Sequence, residues 1–446
     1  MRIAFISANR ETMPDAVIPL GLLHVVAATP DRHEKLFWDL CFEADPLATV
    51  TRNLREHQPD LVAIGLRNLQ NMDYTSITSN PDAYRALIQA VRADSSAPIV
   101  LGGGGFSVAP QGLMEALGAE YGISGEGELA FAKLLDELER PVPELHAVES
   151  LYYRVDGKLR FTGRGGGNLG IDDLPRPDRS VLDERYYTNY GIESLQTKRG
   201  CPLHCTYCTY PLLEGRQSRM RNPAAVAQEF MDLGARDGVE HVFIVDSVFN
   251  LPPRHAKAIC RELVARGNLT PWTSYISPIA FDDELAALMV AAGATGMEVG
   301  SDSGCDAVLD RLRKGFRTDR IRRLADVAKA HGLKDFHSFI LGTSGETLDD
   351  VEQTLDFVED LDPFAAVMLV WVEDSEALDP KLALMRQDFR AEIYERIGRR
   401  ARTQPRWVVP RLGIRCNPRS FAVLRKMGLR GPLWQHLDRV STGGNP

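Results

Sequence analysis

The sequence predicts an α/β protein built in two successive parts. The first is a doubly wound, Rossmann-like parallel sheet; the second is a partial (β/α)6 barrel, followed by a mostly helical C-terminal region. Three observations carry this reading. Strand-like and helix-like segments alternate over residues 1–140, the alternation resumes over 191–372, and a segment punctuated by proline and glycine, 141–190, lies between them. Residues 373–446 are expected to cap the site.

Arg2–Ser7 is short, apolar and β-branched, and reads as a buried first strand rather than a secretory signal. A helix begins over Gly21–Ala28, Lys35–Leu40 is the next strand, and Pro46–His57 is helical. Leu61–Leu66 is an apolar strand after Pro59-Asp60; Asp82–Ala93 is helical, Pro98–Leu101 a strand, Gln111–Leu117 helical and Tyr121–Ile123 a short strand. Sheets of this kind bind ligands beyond the carboxyl ends of their strands. In the connecting segment, Tyr152–Arg154 and Lys158–Phe161 form a hairpin around Asp156-Gly157. The second part offers strands at Ser194–Thr197, His241–Val245, Trp272–Ile276, Gly296–Val299, Asp335–Leu341 and Ala366–Val372, with helices such as Pro223–Asp237, Pro253–Arg266 and Thr347–Leu361 between them. Six units are too few for a closed eight-unit barrel, so an open one is expected.

The chain has 446 residues, 44% hydrophobic and 25% charged, an ordinary composition for a soluble protein. No stretch approaches 18 uncharged apolar residues, so no membrane span is expected, and the chain is expected in the cytoplasm. A net charge of −9 argues against a nucleic-acid partner. The charge is uneven: from Arg386 to Arg439 there are 14 Arg/Lys against 4 Asp/Glu. That segment is either a helical surface facing an acidic neighbour or a site for a phosphate- or carboxylate-bearing substrate.

Of seven cysteines, Cys41, Cys260, Cys305 and Cys416 are scattered in mostly apolar surroundings and read as buried thiols. The other three are clustered in Lys198-Arg-Gly-Cys201-Pro-Leu-His-Cys205-Thr-Tyr-Cys208, after the first strand of the second part. Three thiolates within eight residues can converge on soft metal ions. A 4Fe–4S cluster normally takes four cysteines, so three leave one iron open to a small chelator. Structural zinc would want a fourth ligand nearby, and His204 is too close to Cys205 along the chain to close a tetrahedron easily.

The spacing C-x3-C-x2-C, with an aromatic before the third cysteine, resembles the radical S-adenosylmethionine (SAM) superfamily. The resemblance covers roughly residues 190–372 and implies that the open iron chelates SAM, which one electron from the cluster then cleaves to a 5′-deoxyadenosyl radical. On this resemblance Cys201, Cys205 and Cys208 are the metal ligands and Tyr207 lies beside the adenine. Phe243-Ile-Val-Asp246-Ser-Val-Phe249 is similar to the second-strand segment, and Gly296-Met-Glu298-Val-Gly300-Ser301-Asp-Ser303 to the fourth-strand segment; Asp246, Glu298 and Ser301 are therefore expected at the cofactor. Glu298, read as a strand-end residue, can accept from an ammonium or ribose hydroxyls. Lys314-Gly315-Phe316 and Phe339-Ile-Leu-Gly342-Thr-Ser-Gly345-Glu-Thr347 resemble later turns of the family, with Ser344 in place of the usual proline.

In the first part, Pro19-Leu-Gly21-Leu22, Pro59-Asp-Leu-Val-Ala-Ile-Gly65, Val100-Leu-Gly102-Gly-Gly-Gly105 and Gly125-Glu-Gly-Glu128 occur in an order that resembles the cobalamin-binding domain of cobalamin-dependent radical SAM proteins. Gly102, Gly103, Gly104 and Gly105 permit close approach of a bulky ligand, and Gly125 and Glu126 are expected nearby. The run lacks a Walker lysine and the spaced dinucleotide fingerprint. No D-x-H-x-x-G motif supplies a lower cobalt ligand, so Arg67 and Asn68, after the third strand, are expected at that face. A guanidinium cannot ligate cobalt; its alternative is a surface arginine.

The resemblance implies a 4Fe–4S cluster, SAM and cobalamin as cofactors, a small-molecule substrate and a reductant protein of flavodoxin or ferredoxin type. The expected activity is methylation of a carbon centre by way of methylcobalamin; the alternative is a non-methylating radical cyclisation, rearrangement or oxidation. Tyr275, Trp371 and Glu373 are the candidates to face substrate.

Overall fold

The computed structural model describes residues 1–69, 80–165, 170–372, 386–410 and 418–441. Both expected sheets are present. The first holds β1 (Arg2–Ser7), β2 (Glu34–Asp39), β3 (Leu61–Gly65), β4 (Ile99–Gly102), β5 (Tyr121–Ile123), β6 (Leu151–Val155) and β7 (Lys158–Phe161), in the order β2-β1-β3-β4-β5-β6-β7. The strands β1 to β5 are parallel. Alternate side chains feed two cores, one around Ala4, Ile6, Val62, Ile64 and Leu101, the other around Ile3, Phe5, Leu61, Ala63 and Val100. Burial on both faces is why these strands read as unbroken apolar runs.

The hairpin expected inside the connector is instead the far edge of this sheet. Its β6 pairs antiparallel with β5, Ile123 opposite Leu151, and Tyr152 stacks on Phe161 with centroids 4.3 Å apart. The first sheet therefore extends through residue 161.

The second sheet is all parallel and comprises β8 (Ile192–Leu195), β11 (His241–Ile244), β12 (Trp272–Ile276), β13 (Gly296–Asp302), β14 (Lys334–Leu341), β15 (Ala365–Val370) and β16 (Trp407–Val408), in the order β16-β15-β14-β13-β12-β11-β8. Its end strands, β8 and β16, do not pair, so the barrel is open. A two-residue ribbon, β9 (Lys198–Arg199) with β10 (Arg219–Met220), brackets the cysteine segment. Of the seven sheet strands, β16 was not expected; two residues carry no periodicity. Local chemistry sets the helix starts: Asn222 accepts from the amides of Ala224 and Ala225, and Thr347 and Asp350 form a capping box.

The described part of the C-terminal region is more than a cap. Helix Gln387–Ala401 packs Ile393 and Ile397 with Phe339, Leu341 and Val370 on the outer face of the sheet. Phe421, Leu424, Leu433 and Trp434 pack on its inner face with Ala365, Phe336 and Val367. Trp434 stacks on Phe336 at 5.2 Å, and a Cβ on Gly296, the first residue of β13, would meet its ring at 2.7 Å. That segment fills the lumen from the amino ends of the strands. The excess arginines face an acidic neighbour, helix Leu348–Leu361: Arg396 and Arg400 pair with Glu352, Arg400 also with Asp356 and Glu359, while Arg406 pairs with Asp362 just beyond that helix.

Candidate functional site

The cysteine loop is held by its stem. Gly200 has φ +83°, and a Cβ there would lie 2.1 Å from the Gln217 carbonyl, so only glycine admits the ribbon's close crossing. Asp246, just past β11, is fully buried; it accepts from the amides of Thr197 and Lys198 and from the Thr197 hydroxyl. Its oxygens are thus spent on the loop's stem. Asp246 thereby positions the segment that leads into the cysteines.

Cys201 is buried and its amide donates to the Gly215 carbonyl at 3.2 Å; Cys205 and Cys208 are half-buried. All three are free thiols, and the charge of Cys201 reaches both Cys205 and Cys208, which burial pushes above the ordinary thiol range. Three unpaired sulfurs on one loop match in number and chemistry the donor set of an iron–sulfur cluster with one open iron, although no three metal-ligating side chains converge among the described residues. Cys41, Cys260 and Cys305 are buried as expected; Cys416 lies outside the described residues.

Beside them stands a group, Asp302, Lys314 and Tyr207, of which sequence alone singles out only Tyr207. Asp302 ends β13 in a left-handed conformation, φ +63°, and is buried. Lys314 Nζ lies 2.6 Å from its carboxylate and 3.1 Å from the Tyr207 hydroxyl, which itself donates to Asp302. Burial works against the Lys314 charge, yet Asp302 and the thiols hold its pKa above the ordinary lysine range. Tyr207 also meets Trp371 edge-on at 5.8 Å.

Two expectations need correction. Ser301 is fully buried, and its hydroxyl is bonded to His337 Nδ1 at 2.7 Å, while His337 Nε2 meets Asp335. Strand alternation turns it away from the lumen, with Met297 and Val299. Glu298 does face the lumen, but from the third position of a seven-residue strand, and Trp434 Nε1 donates to it at 3.2 Å. Burial pushes its pKa up to about 7, the Asp15 carboxylate adding to the rise. A carboxyl raised on folding binds its proton more tightly in the native state, so stability falls as pH rises from about 4.5 through about 7. Glu298→Gln, which keeps an acceptor for Trp434, is expected to raise Tm by a few degrees at pH 8 and to leave it unchanged at pH 5. Equal Tm differences at both pH values, read by circular dichroism, would contradict the assignment.

The first sheet presents its carboxyl edge to the cysteine loop. A Cβ on Gly104 would lie 3.8 Å from Leu213, and one on Gly125 3.3 Å from the Leu213 carbonyl, in helix Tyr210–Glu214 just after Cys208. Gly103 and Gly105 serve a second purpose. Cβ atoms there would meet the Leu66 carbonyl at 2.5 Å and the Arg67–Asn68 peptide at 3.0 Å, so the run admits its neighbouring loop as well as leaving Gly103 exposed. Glu126 pairs with Arg219, and Glu128 with Arg199, tying the first sheet's last βα turn to the ribbon that brackets the cysteine segment. Arg67 is exposed on the β3 loop, with its charge felt at the Tyr210 and Tyr275 hydroxyls across the gap. The Asn68 carbonyl accepts from Tyr84 at 2.6 Å. Tyr275, 37% exposed, meets Phe243 edge-on at 5.1 Å; Glu373 lies outside the described residues. Among the described residues no helix is long and apolar enough to cross a membrane.

Residues 6–135 match the B12 binding domain and residues 195–358 the radical SAM superfamily. This is a radical SAM enzyme preceded by a B12-binding domain. The cofactors of such an enzyme are a 4Fe–4S cluster, SAM and cobalamin. The tryptophan 2-C-methyltransferase of Streptomyces laurentii is 28% identical over 81% of this chain and 70% of its own length. An uncharacterised methyltransferase of Pyrococcus horikoshii is 27% identical over 77% of this chain and 73% of its own. The radical SAM methyltransferase TsrM of Kitasatospora setae, solved with cobalamin and a 4Fe–4S cluster, superposes with a TM-score of 0.85 at 20% identity, covering 99% of this chain and 97% of that one. That likeness shows that the fold of this radical SAM enzyme is shared from end to end.

Proposed function

We propose that this enzyme is a cobalamin-dependent methyltransferase that methylates a carbon centre of a small molecule. The observation that carries the proposal is the facing of two carboxyl edges: helix Tyr210–Glu214, which directly follows the cysteine loop, lies against Gly104 and Gly125 of the other domain. A cluster-bound methyl donor and a corrinoid would then open on one gap, walled by Tyr207, Tyr275 and Trp371.

In this reading Cys201, Cys205 and Cys208 hold the cluster and leave one iron for SAM, while Asp302 and Lys314 fix the Tyr207 ring beside it. When bound, the cluster and cobalamin supply electron transfer and a methyl carrier. Gly103 and Gly104 make room for the corrinoid. Exposed Tyr275 offers an aromatic face and a hydroxyl to substrate. The units 1–161 and 191–410 are the cobalamin and cluster domains, and the work belongs in a reducing cytoplasm, where six described thiols stay free.

Similarity to the Streptomyces laurentii enzyme makes tryptophan the first substrate to test. Anaerobically reconstituted, cobalamin-loaded protein with SAM and tryptophan is expected to yield methylated product and S-adenosylhomocysteine. Formation of 5′-deoxyadenosine with no methylated product, over a panel of indoles and amino acids, would favour the radical cyclisation alternative.

Arg67 provides a spectroscopic check. Its guanidinium at the lower face of cobalt would exclude water and cannot itself ligate. Arg67→Ala is expected to convert the spectrum of the bound corrinoid to that of a water-ligated form, and Arg67→Lys to lose the planar fork while keeping the charge. Identical spectra in wild type and Arg67→Ala would remove Arg67 from the cobalt site.

A further inference from the structure

A chain of three side chains runs along the outer face of the second sheet. Ser301 of β13 bonds His337 Nδ1 at 2.7 Å, and His337 Nε2 meets Asp335 at 3.0 Å, both on β14. Asp335 also accepts from the Phe364 amide at 2.8 Å. Burial would raise the Asp335 carboxyl, but His337 and the Phe364 amide hold it below the ordinary carboxylate range. An ionised carboxylate only accepts, so the His337 Nε2–H points at Asp335 and Nδ1 is left for the Ser301 hydroxyl. Ser301 and His337 are 0% exposed, so no substrate reaches them and the serine is not a nucleophile.

What the chain holds is the residue next to it. Pairing of β13 with β14 shifts by one residue between Gly300 and Asp302: Gly300 lies opposite Ser338 and Asp302 opposite Phe339, which makes Ser301 the extra residue of a bulge. Asp302 follows at φ +63°, and the Ser303 amide donates back across it to the Ser301 carbonyl at 2.8 Å. A bond from residue i+2 to residue i around a positive φ is the rare, strained form of the γ-turn. Such strain persists only where the surroundings over-determine it, and it gathers at functional sites. The far side of the turn is tied to helix Leu348–Leu361, where Ser303 Oγ and the Gly304 amide meet Thr354 Oγ1 at 2.9 and 3.1 Å. The near side is tied by the Ser301 hydroxyl. Between them the Asp302 carboxylate comes to the Tyr207 hydroxyl and to Lys314 Nζ, beside the cysteine loop.

We infer that Ser301, His337 and Asp335 are positioning residues for SAM binding: they hold the bulge and the γ-turn that aim Asp302 at Tyr207 and so fix the Tyr207 ring. The inference rests on the proposed reading in which Tyr207 lies beside SAM. Without the Ser301 hydroxyl the turn relaxes toward regular strand geometry, the Asp302 carboxylate leaves Tyr207, and the ring loses its charged acceptor.

The test is a double-variant cycle on anaerobically reconstituted full-length protein, read as iron content and as the dissociation constant of SAM in equilibrium dialysis. Wild-type protein without a cluster would count against the proposed function and not against this chain of side chains. Ser301→Ala is expected to keep its iron and to weaken SAM binding about tenfold. Asp302→Gly takes the positive φ without strain and has no carboxylate to aim, so it should weaken SAM binding at least as much. Adding Ser301→Ala to Asp302→Gly should then cost nothing further, whereas general loosening of the barrel would multiply the two losses. Loss of iron in Ser301→Ala, unchanged SAM binding in that variant, or multiplied losses in the double variant would overturn the inference. So would a crystal structure of Ser301→Ala in which Asp302 keeps its positive φ and its bond to Tyr207, a result that does not depend on the cluster.

Discussion

Alanine at any one of Cys201, Cys205 or Cys208 is expected to abolish the broad 4Fe–4S absorbance and all consumption of SAM, because two thiolates do not hold the cubane. The loop itself should survive the change. Its stem is held by bonds from Thr197 and Lys198 to Asp246, and its outer turn by the Thr206 amide on Leu312, none of which involves a sulfur. Near-wild-type circular dichroism with no iron is therefore the expected pair of results. Cys260→Ala is the control: that thiol is fully buried in the core with Val242, Ile259 and Trp272, and its loss should lower Tm while iron content stays whole. Cluster absorbance retained in any one of the three loop variants would sink the assignment of that residue.

The second large effect is expected at Gly103. Its φ of +93° is open to glycine and strained for other residues, by about 1–3 kcal/mol. A Cβ there would also press within 2.5 Å of the Leu66 carbonyl, which accepts from the Gly105 amide at 2.9 Å. Gly103→Val should therefore displace the loop that carries Arg67 and Asn68, and with it the bound corrinoid. The cysteine loop lies on the other sheet, joined through Glu126–Arg219 and Glu128–Arg199, which do not pass through Gly103. Anaerobic purification should give protein with full iron and little or no cobalamin. A full complement of cobalamin in Gly103→Val would mean that the glycine run serves only the packing of its neighbouring loop.

Much of this molecule was legible in the order of its residues. The strands β1 to β5 and the six strands β8 and β11 to β15 are runs of apolar residues set between helix-period segments, a pattern that local backbone preference and two-sided burial write into the chain itself. The three cysteines are equally local, since eight residues contain both the ligands and their spacing. What periodicity could not decide is which polar residue at a strand end remains open. Asp246 meets Thr197 across 49 residues, Glu126 meets Arg219 across 93, Tyr207 meets Asp302 across 95 and Glu298 meets Trp434 across 136. Each of these carboxylates must find a donor or a cation once it is buried, and the partner comes from whichever strand the topology brings alongside. Residue order therefore determined the two sheets and the cysteine loop, while the tertiary structure alone decided that Asp246 and Glu126 brace the site, that Asp302 joins it, and that the C-terminal tryptophan closes the lumen beneath it.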